Sequence, residues 1–224
     1  FIGAWNGCTS LTSFLATDLT SSWDFYVTWS GCTSLVTFPA IPLTGGTRFQ
    51  NTWKDCTAMT TFLATDLDSG TNFGGAWNGC SALTAMPAID FTSGTSFSTT
   101  WYNCSSLTSF PAVSLDSGKG FYYCWFGCSS LTDFPANVFD NWSPASISNN
   151  CFAGAWSGCT SLTATSVENI LNSLATAGVA APSSGVDIVI SYDEGTGTPS
   201  IASALATLKG LSPAWIIKLN GVVQ

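Results

Sequence analysis

The stretch Trp125-Phe126-Gly127-Cys128-Ser129-Ser130-Leu131-Thr132 holds the phrase whose recurrence decides the fold. Its Trp-x-x-Cys core appears at Trp5/Cys8, Trp29/Cys32, Trp53/Cys56, Trp77/Cys80, Trp101/Cys104, Trp125/Cys128 and Trp156/Cys159. The first six follow one another every 24 residues without a slip. The seventh comes 31 residues after the sixth, so one unit carries an insertion, placed near residues 140–150. Working outward, a Phe stands four residues before each Trp, from Phe1 and Phe25 to Phe121 and Phe152. Leu or Met follows each Cys by three residues (Leu11, Leu35, Met59, Leu83, Leu107, Leu131, Leu162), and Phe14, Phe38, Phe62, Met86, Phe110 and Phe134 come three further on. A last apolar position recurs at Leu19, Leu43, Leu67, Phe91, Leu115 and Phe139. Self-similarity at a fixed period of this length predicts a solenoid. A 24-residue unit is too short to bury its own apolar residues, so neighbouring coils must cover one another.

Within one unit, Leu107 to Val113 reads as a short strand entering a turn, with the recurrent Pro39, Pro87, Pro111 and Pro135 at its margin. The spacing of Phe73-Gly-Gly-Ala-Trp77 fits one turn of helix with both rings on one face. Parallel strands stacked at ~4.8 Å per coil would make seven coils a rod ~34 Å long. After Leu162 the phrase stops. Ser166 reads as an N-cap before a helix over 167–175, which Gly178 ends. A strand over 186–192, a second helix over about 200–208 and a strand over 215–219 complete an α-β-α-β unit. Residues 1–165 are thus expected to form seven coils and residues 166–224 the cap that an open stack requires.

The phrase F-x-x-x-W-x-x-C-[ST]-[SA]-L-T-x-F-P resembles the BspA-like class of leucine-rich repeats, with Trp where many members have Phe and a period of 24. The resemblance covers residues 1 to about 165. It implies an α/β solenoid, a leucine-rich-repeat-like right-handed coil with short parallel strands, of a kind used by surface adhesins. The segments Cys159 to Leu171, Asp193 to Pro199 and Trp215 to Gly221 are similar to the C-terminal ends of repeat proteins encoded by marine bacteriophages, cyanophages among them. Phe134 to Trp142 and Asn149 to Phe152 share that similarity, which implies a virion or tail-associated protein.

Composition narrows the chemistry. The chain of 224 residues has no His, which removes Ser–His and Cys–His catalysis, His metal ligation and imidazole pH switching. Only 8% of residues are charged and the net charge is −8, so nucleic acid is not an expected partner. Ser and Thr number 60 and keep the surface wet in place of charge, a pattern more usual outside cells. No apolar run approaches the ~20 residues of a membrane helix, so no membrane insertion is expected. The chain opens on Phe1 with no signal-peptide pattern, as expected if a preceding part is removed or the sequence belongs to a longer polypeptide. Gly195-Thr-Gly197 precedes a helix but lacks the Lys of a phosphate loop, and no cofactor is expected.

The seven phased Cys read as buried thiols, since Cys behaves as a small hydrophobe and no Cys-x-x-Cys pair suits zinc. Disulfide and metal readings stay open beside that one. Cys124 and Cys151 lie outside the ladder and flank the insertion, which makes them a candidate disulfide. The phased Trp and Phe read as a core spine in preference to carbohydrate platforms. The unphased Trp23, Tyr26, Tyr102, Tyr122, Tyr123, Phe126 and Trp142 are the candidate contact aromatics. Asp18, Asp66 and Asp90, and again Asp68, Asp116 and Asp140, fall in register, as Ca²⁺ ligands between coils or as solvated turn residues. Sequons at Asn103 and Asn141 read as coincidental. Three functions compete: a phage virion or tail-fibre component touching host or particle proteins or host glycans, a bacterial surface adhesin or matrix protein, and a polysaccharide-degrading enzyme. The first is favoured, with localisation in the virion or outside the cell and homo-oligomerisation in view. The enzyme is weakest, because the acids sit in turns and form no cluster.

Overall fold

The structure is a computed structural model that describes residues 1–15, 18–144 and 146–224; Ala145, inside the expected insertion, lies outside the described residues. Residues 24 apart lie side by side in parallel. Ser13 bridges to Thr37, Ala85 to Ser109 and Ser109 to Asp133 along one flank, while Asp24, Arg48, Asn72 and Ser96 bridge in succession along another. The strands themselves are minimal. Among the described residues of the coils, only β1 (Thr37–Phe38) and β2 (Thr61–Phe62) pair over more than one residue, parallel and in 24-residue register. The strand expected over Leu107–Val113 contracts to a bridge at Ser109. The Leu63 N–H donates to the Phe38 carbonyl at 3.0 Å, and Pro87, Pro111 and Pro135 at the equivalent place have no N–H to give.

The Phe-to-Trp segment is not the helical turn its spacing suggests. Thr28, Ser30 and Cys32 donate backward to the carbonyls of Phe25, Val27 and Trp29 at 3.1–3.4 Å. The alternate residues Phe25, Val27, Trp29 and Gly31 donate instead to Arg48, Gln50, Thr52 and Lys54 of the next coil at 2.7–3.1 Å. An α-helix directs every N–H along its own axis and would leave the coils without backbone bonds between them. Here every fourth residue is left-handed, which breaks the helical course and lets every second N–H reach the neighbouring coil. The residue two past each Phe is left-handed (Gly3, Val27, Asn51, Gly75, Thr99, Tyr123, Gly154), and so is the residue two past each Trp (Gly7, Gly31, Asp55, Gly79, Asn103, Gly127, Gly158).

Between these backbones the phased side chains form one continuous core. Trp29, Trp53, Trp77, Trp101, Trp125 and Trp156 are fully buried, as are Phe25, Phe49, Phe73, Phe97, Phe121 and Phe152. Phe139 takes the place of Leu115 in the sixth coil, and the insertion follows it.

The C-terminal unit closes the stack. Helix α1 (Ala164–Ala177) begins three residues before the expected start at 167, because Thr163 rather than Ser166 is its N-cap: the Thr163 hydroxyl accepts from the Ser166 N–H. Gly178 ends the helix in the left-handed conformation, as its residue type predicts. Ser166 is buried within it, donating to the Thr132 carbonyl and accepting from the Phe134 N–H, both at 2.9 Å. Next come β3 (Asp187–Ile190), a 3-10 turn at Glu194–Thr196, α2 (Ala202–Gly210), β4 (Ile216–Leu219) and β5 (Val222–Val223). The sheet order is β3-β4-β5, with β3 and β4 parallel and β5 returning antiparallel through Asn220-Gly221. Ile190 bridges to Trp156, and Ser191 and Asp193 donate to the carbonyls of Trp156 and Leu162, so β3 lies along the last coil. Among the described residues no helix is long and apolar enough to cross a membrane.

Candidate functional site

Two side-chain columns run through the stack. From Trp5 to Trp156, successive indoles lie 5.1–5.9 Å apart between centroids and within 13° of parallel. Each Phe of the strand flank meets two of them edge-on; Phe38 lies 4.8 Å from Trp29 and 5.1 Å from Trp53. The indole N–H groups of Trp29, Trp53, Trp77, Trp101, Trp125 and Trp156 are buried without a hydrogen-bond partner. These rings therefore serve through area and stacking, not through their polar edge. None of them offers a face to a sugar.

The ladder Cys repeat one interaction. The thiols of Cys32, Cys56, Cys80, Cys104, Cys128 and Cys159 donate to the Trp carbonyl of the coil before, at 3.0–3.2 Å. All nine cysteines are free, and Cys8 alone is exposed. Desolvation, then the thiol of a neighbouring coil, raises Cys32 to about 11, and desolvation raises Cys128 to about 12. Desolvation also drives Cys56, Cys80, Cys104 and Cys159 well above the ordinary thiol range. Thiolate, the nucleophilic and metal-binding form, is thus suppressed along the column.

Two expectations are corrected here. Cys124 and Cys151 are free buried thiols and not a disulfide. They occupy different columns of the stack: Cys124 stands in the place of Thr100, whereas Cys151 stands in the place of Gly120, immediately before its coil's Phe. Trp142 is not a contact aromatic. It is 1% exposed, donates its indole N–H to the Gly118 carbonyl at 2.6 Å and packs on Phe152.

The remaining candidates fall into two groups. Tyr102 and Phe126, 24 residues apart, stack 5.0 Å between centroids and 9° from parallel. Tyr123 meets Phe126 at 5.1 Å, and Tyr122 meets Tyr123 at 4.2 Å. The four rings make one lateral patch, half-buried to exposed, on the fifth and sixth coils. Gly154 makes room for it, since a Cβ there would come 2.1 Å from the Tyr123 ring. Near the first coils, Trp23 is 64% exposed, and the Arg48 guanidinium lies 4.1 Å over the Tyr26 ring while pairing with Asp24 at 3.2 Å. Sequence reasoning singled out these residues but not their division into two sites.

The registered acids are held locally. Thr20 donates twice to Asp18 and keeps its carboxyl below the usual range, and Thr92, Ser69 and Ser114 donate to Asp90, Asp68 and Asp116. Asp140 accepts from the buried Ser173 hydroxyl, and Asp66 from its neighbour Thr65. Among the described residues no three acids or thiols gather as a metal-binding group. No family model matches the chain, and no curated protein or solved structure is significantly similar to it.

Proposed function

We propose that the chain is a non-enzymatic structural or adhesive protein, a leucine-rich-repeat-like right-handed solenoid that forms part of a bacteriophage virion or tail fibre and presents its flank to host or particle surfaces. The observation that carries this reading is the contrast between a core that consumes the reactive groups and a flank that displays rings. The ladder thiols from Cys32 to Cys159 are buried and donate to backbone, while Tyr102, Tyr122, Tyr123 and Phe126 cluster on the outside. Rings of this kind recognise sugar faces and apolar side chains by stacking, and their hydroxyls add hydrogen bonds at little entropic cost. A chain with only 8% charged residues and a net charge of −8 suits neutral glycan or protein surfaces over nucleic acid. The resemblances to BspA-like repeats and to cyanophage-type C-terminal ends support the same reading.

Mass spectrometry of purified particles, from a phage whose genome encodes the chain, should find it in structural amounts. Recovery from a bacterial surface alone would favour the adhesin. The Tyr122→Ala/Phe126→Ala double variant should lose binding to host envelopes and glycan arrays by about tenfold or more, with circular dichroism unchanged. Turnover of host polysaccharide into new reducing ends would overturn the non-enzymatic reading.

A further inference from the structure

We propose that the outer face of the first coil is an interaction surface for one further coil of the same Phe-x-x-x-Trp-x-x-Cys phrase. This inference is independent of the phage reading. It rests on the polarity of the backbone. In the second coil, the carbonyls of Tyr26, Thr28 and Ser30 accept from Gly3, Trp5 and Gly7 at 2.9, 2.8 and 2.7 Å. Their equivalents in the first coil are the carbonyls of Ile2, Ala4 and Asn6, which accept no hydrogen bond among the described residues. The Ala4 and Asn6 N–H groups are already spent on Phe1 and Gly3. The free edge is therefore a row of acceptors only.

That restricts the occupant. An ordinary β-strand presents N–H and C=O alternately along one edge and would set carbonyls against part of this row. A second copy meeting the face with its own first coil would oppose acceptors to acceptors throughout. A coil with the same left-handed residues, two past its Phe and two past its Trp, presents an unbroken row of N–H donors, as the first coil itself presents to the second.

The side chains agree. Phe1 and Ile2 are 50% and 61% exposed and Trp5 is half-buried, whereas Phe25 and Trp29 one coil further in are fully buried. Every ladder thiol from Cys32 onward donates to the Trp carbonyl of the preceding coil, and Cys8 meets no such carbonyl among the described residues. At the opposite end the equivalent surface is covered by β3. The coil-to-coil interface found between the described coils therefore continues onto this face, which none of the described residues covers.

Cys8 reports occupancy. A copy of residues 97–120 fused ahead of Phe1 in the full chain should slow iodoacetamide modification of Cys8 at pH 8 at least 100-fold, read peptide by peptide. The reactive thiol should move to the Cys of the added coil. A control extension carrying Ser at the copied Phe97 and Trp101 positions should leave Cys8 as reactive as in the unextended chain. Unchanged Cys8 reactivity in the fused chain would overturn the proposal, as would equal protection by the control. So would an unextended chain that sediments as a dimer with Cys8 already protected, because the face would then accept its own copy. Should the fused chain precipitate, a synthetic 24-residue peptide of residues 97–120 added to the unextended chain decides: slowed Cys8 modification supports the proposal and none refutes it.

Discussion

Gly127 and Thr99 both hold left-handed backbone, with φ of 71° and 56°, but at opposite cost. For Thr the conformation is strained by ~1–2 kcal/mol, whereas Gly adopts it freely. A Cβ at position 127 would also fall 2.3 Å from the Asn103 carboxamide oxygen. Gly127→Ala should therefore lose about 2 kcal/mol or more in urea melts, while Thr99→Gly should keep or raise stability by about 0.5 kcal/mol, the relief of strain slightly exceeding the entropy cost of Gly. The thiols define a second measurement. At pH 8 only the exposed Cys8 should react in the native protein, counted by intact mass after alkylation. Buried thiols such as Cys128, raised from 9.0 to about 12, retain their proton in the folded state after the unfolded chain has released it. The unfolded state then binds fewer protons. Stability that is complete below pH 9 should fall as pH rises toward 12, by about 1.4 kcal/mol per pH unit for each fully buried thiol. An alkaline denaturation series read by fluorescence tests the slope, and a flat profile above pH 9 would contradict it.

Helix α1 shows how an element outside the repeat is held in place. Its buried Ser173 accepts the Phe139 N–H at 2.8 Å and donates to Asp140 at 2.6 Å, so one hydroxyl satisfies a buried backbone group at the insertion. Ser173→Ala should cost about 1–3 kcal/mol by leaving that N–H unpaired, and Ser173→Thr should recover part of the loss. The columns of Phe, Trp, Cys and Leu were legible because a strict period places equivalent residues together whatever the local conformation. The local conformation was not, because Phe and Trp four apart fit a helical turn as well as the alternating backbone found here. The distinguishing sign lay two residues past each Trp, where only Gly, Asp or Asn occurs, the residues that best tolerate left-handed φ. Strand β5 was signalled by Asn220-Gly221, a pair suited to a two-residue hairpin, with φ of 46° and 81°. The stacking of Tyr102 on Phe126 follows from their 24-residue spacing. The burial of Trp142 does not, since it falls in the insertion, where the period offers no guide.

For the molecule as a whole, the repeated hydrogen bonds mean that each coil meets only its neighbours, so stability should behave as a sum of coil terms and interface terms. Removing residues 73–96 is the sharpest test. The cut joins Asn72 to Phe97 and returns every class of contact to an equivalent partner. Trp53 would donate to the Thr100 carbonyl in place of Ala76, and the Thr100 hydroxyl, which now donates to Phe73 at 3.0 Å, would reach Phe49 as Thr52 reaches Phe25. Indole stacking would pass from Trp53 to Trp101 without a gap. The shortened chain should fold, keep its cap, and show a urea m-value smaller by about a tenth, in line with the surface removed. Deleting residues 73–84 removes half a period and puts Ala85 where Phe73 stood. It breaks the Phe, Trp and Cys columns together, strips neighbouring coils of their cover, and should yield an aggregated or unfolded chain. Equal tolerance of both deletions would mean that the stack is held by something other than its 24-residue register.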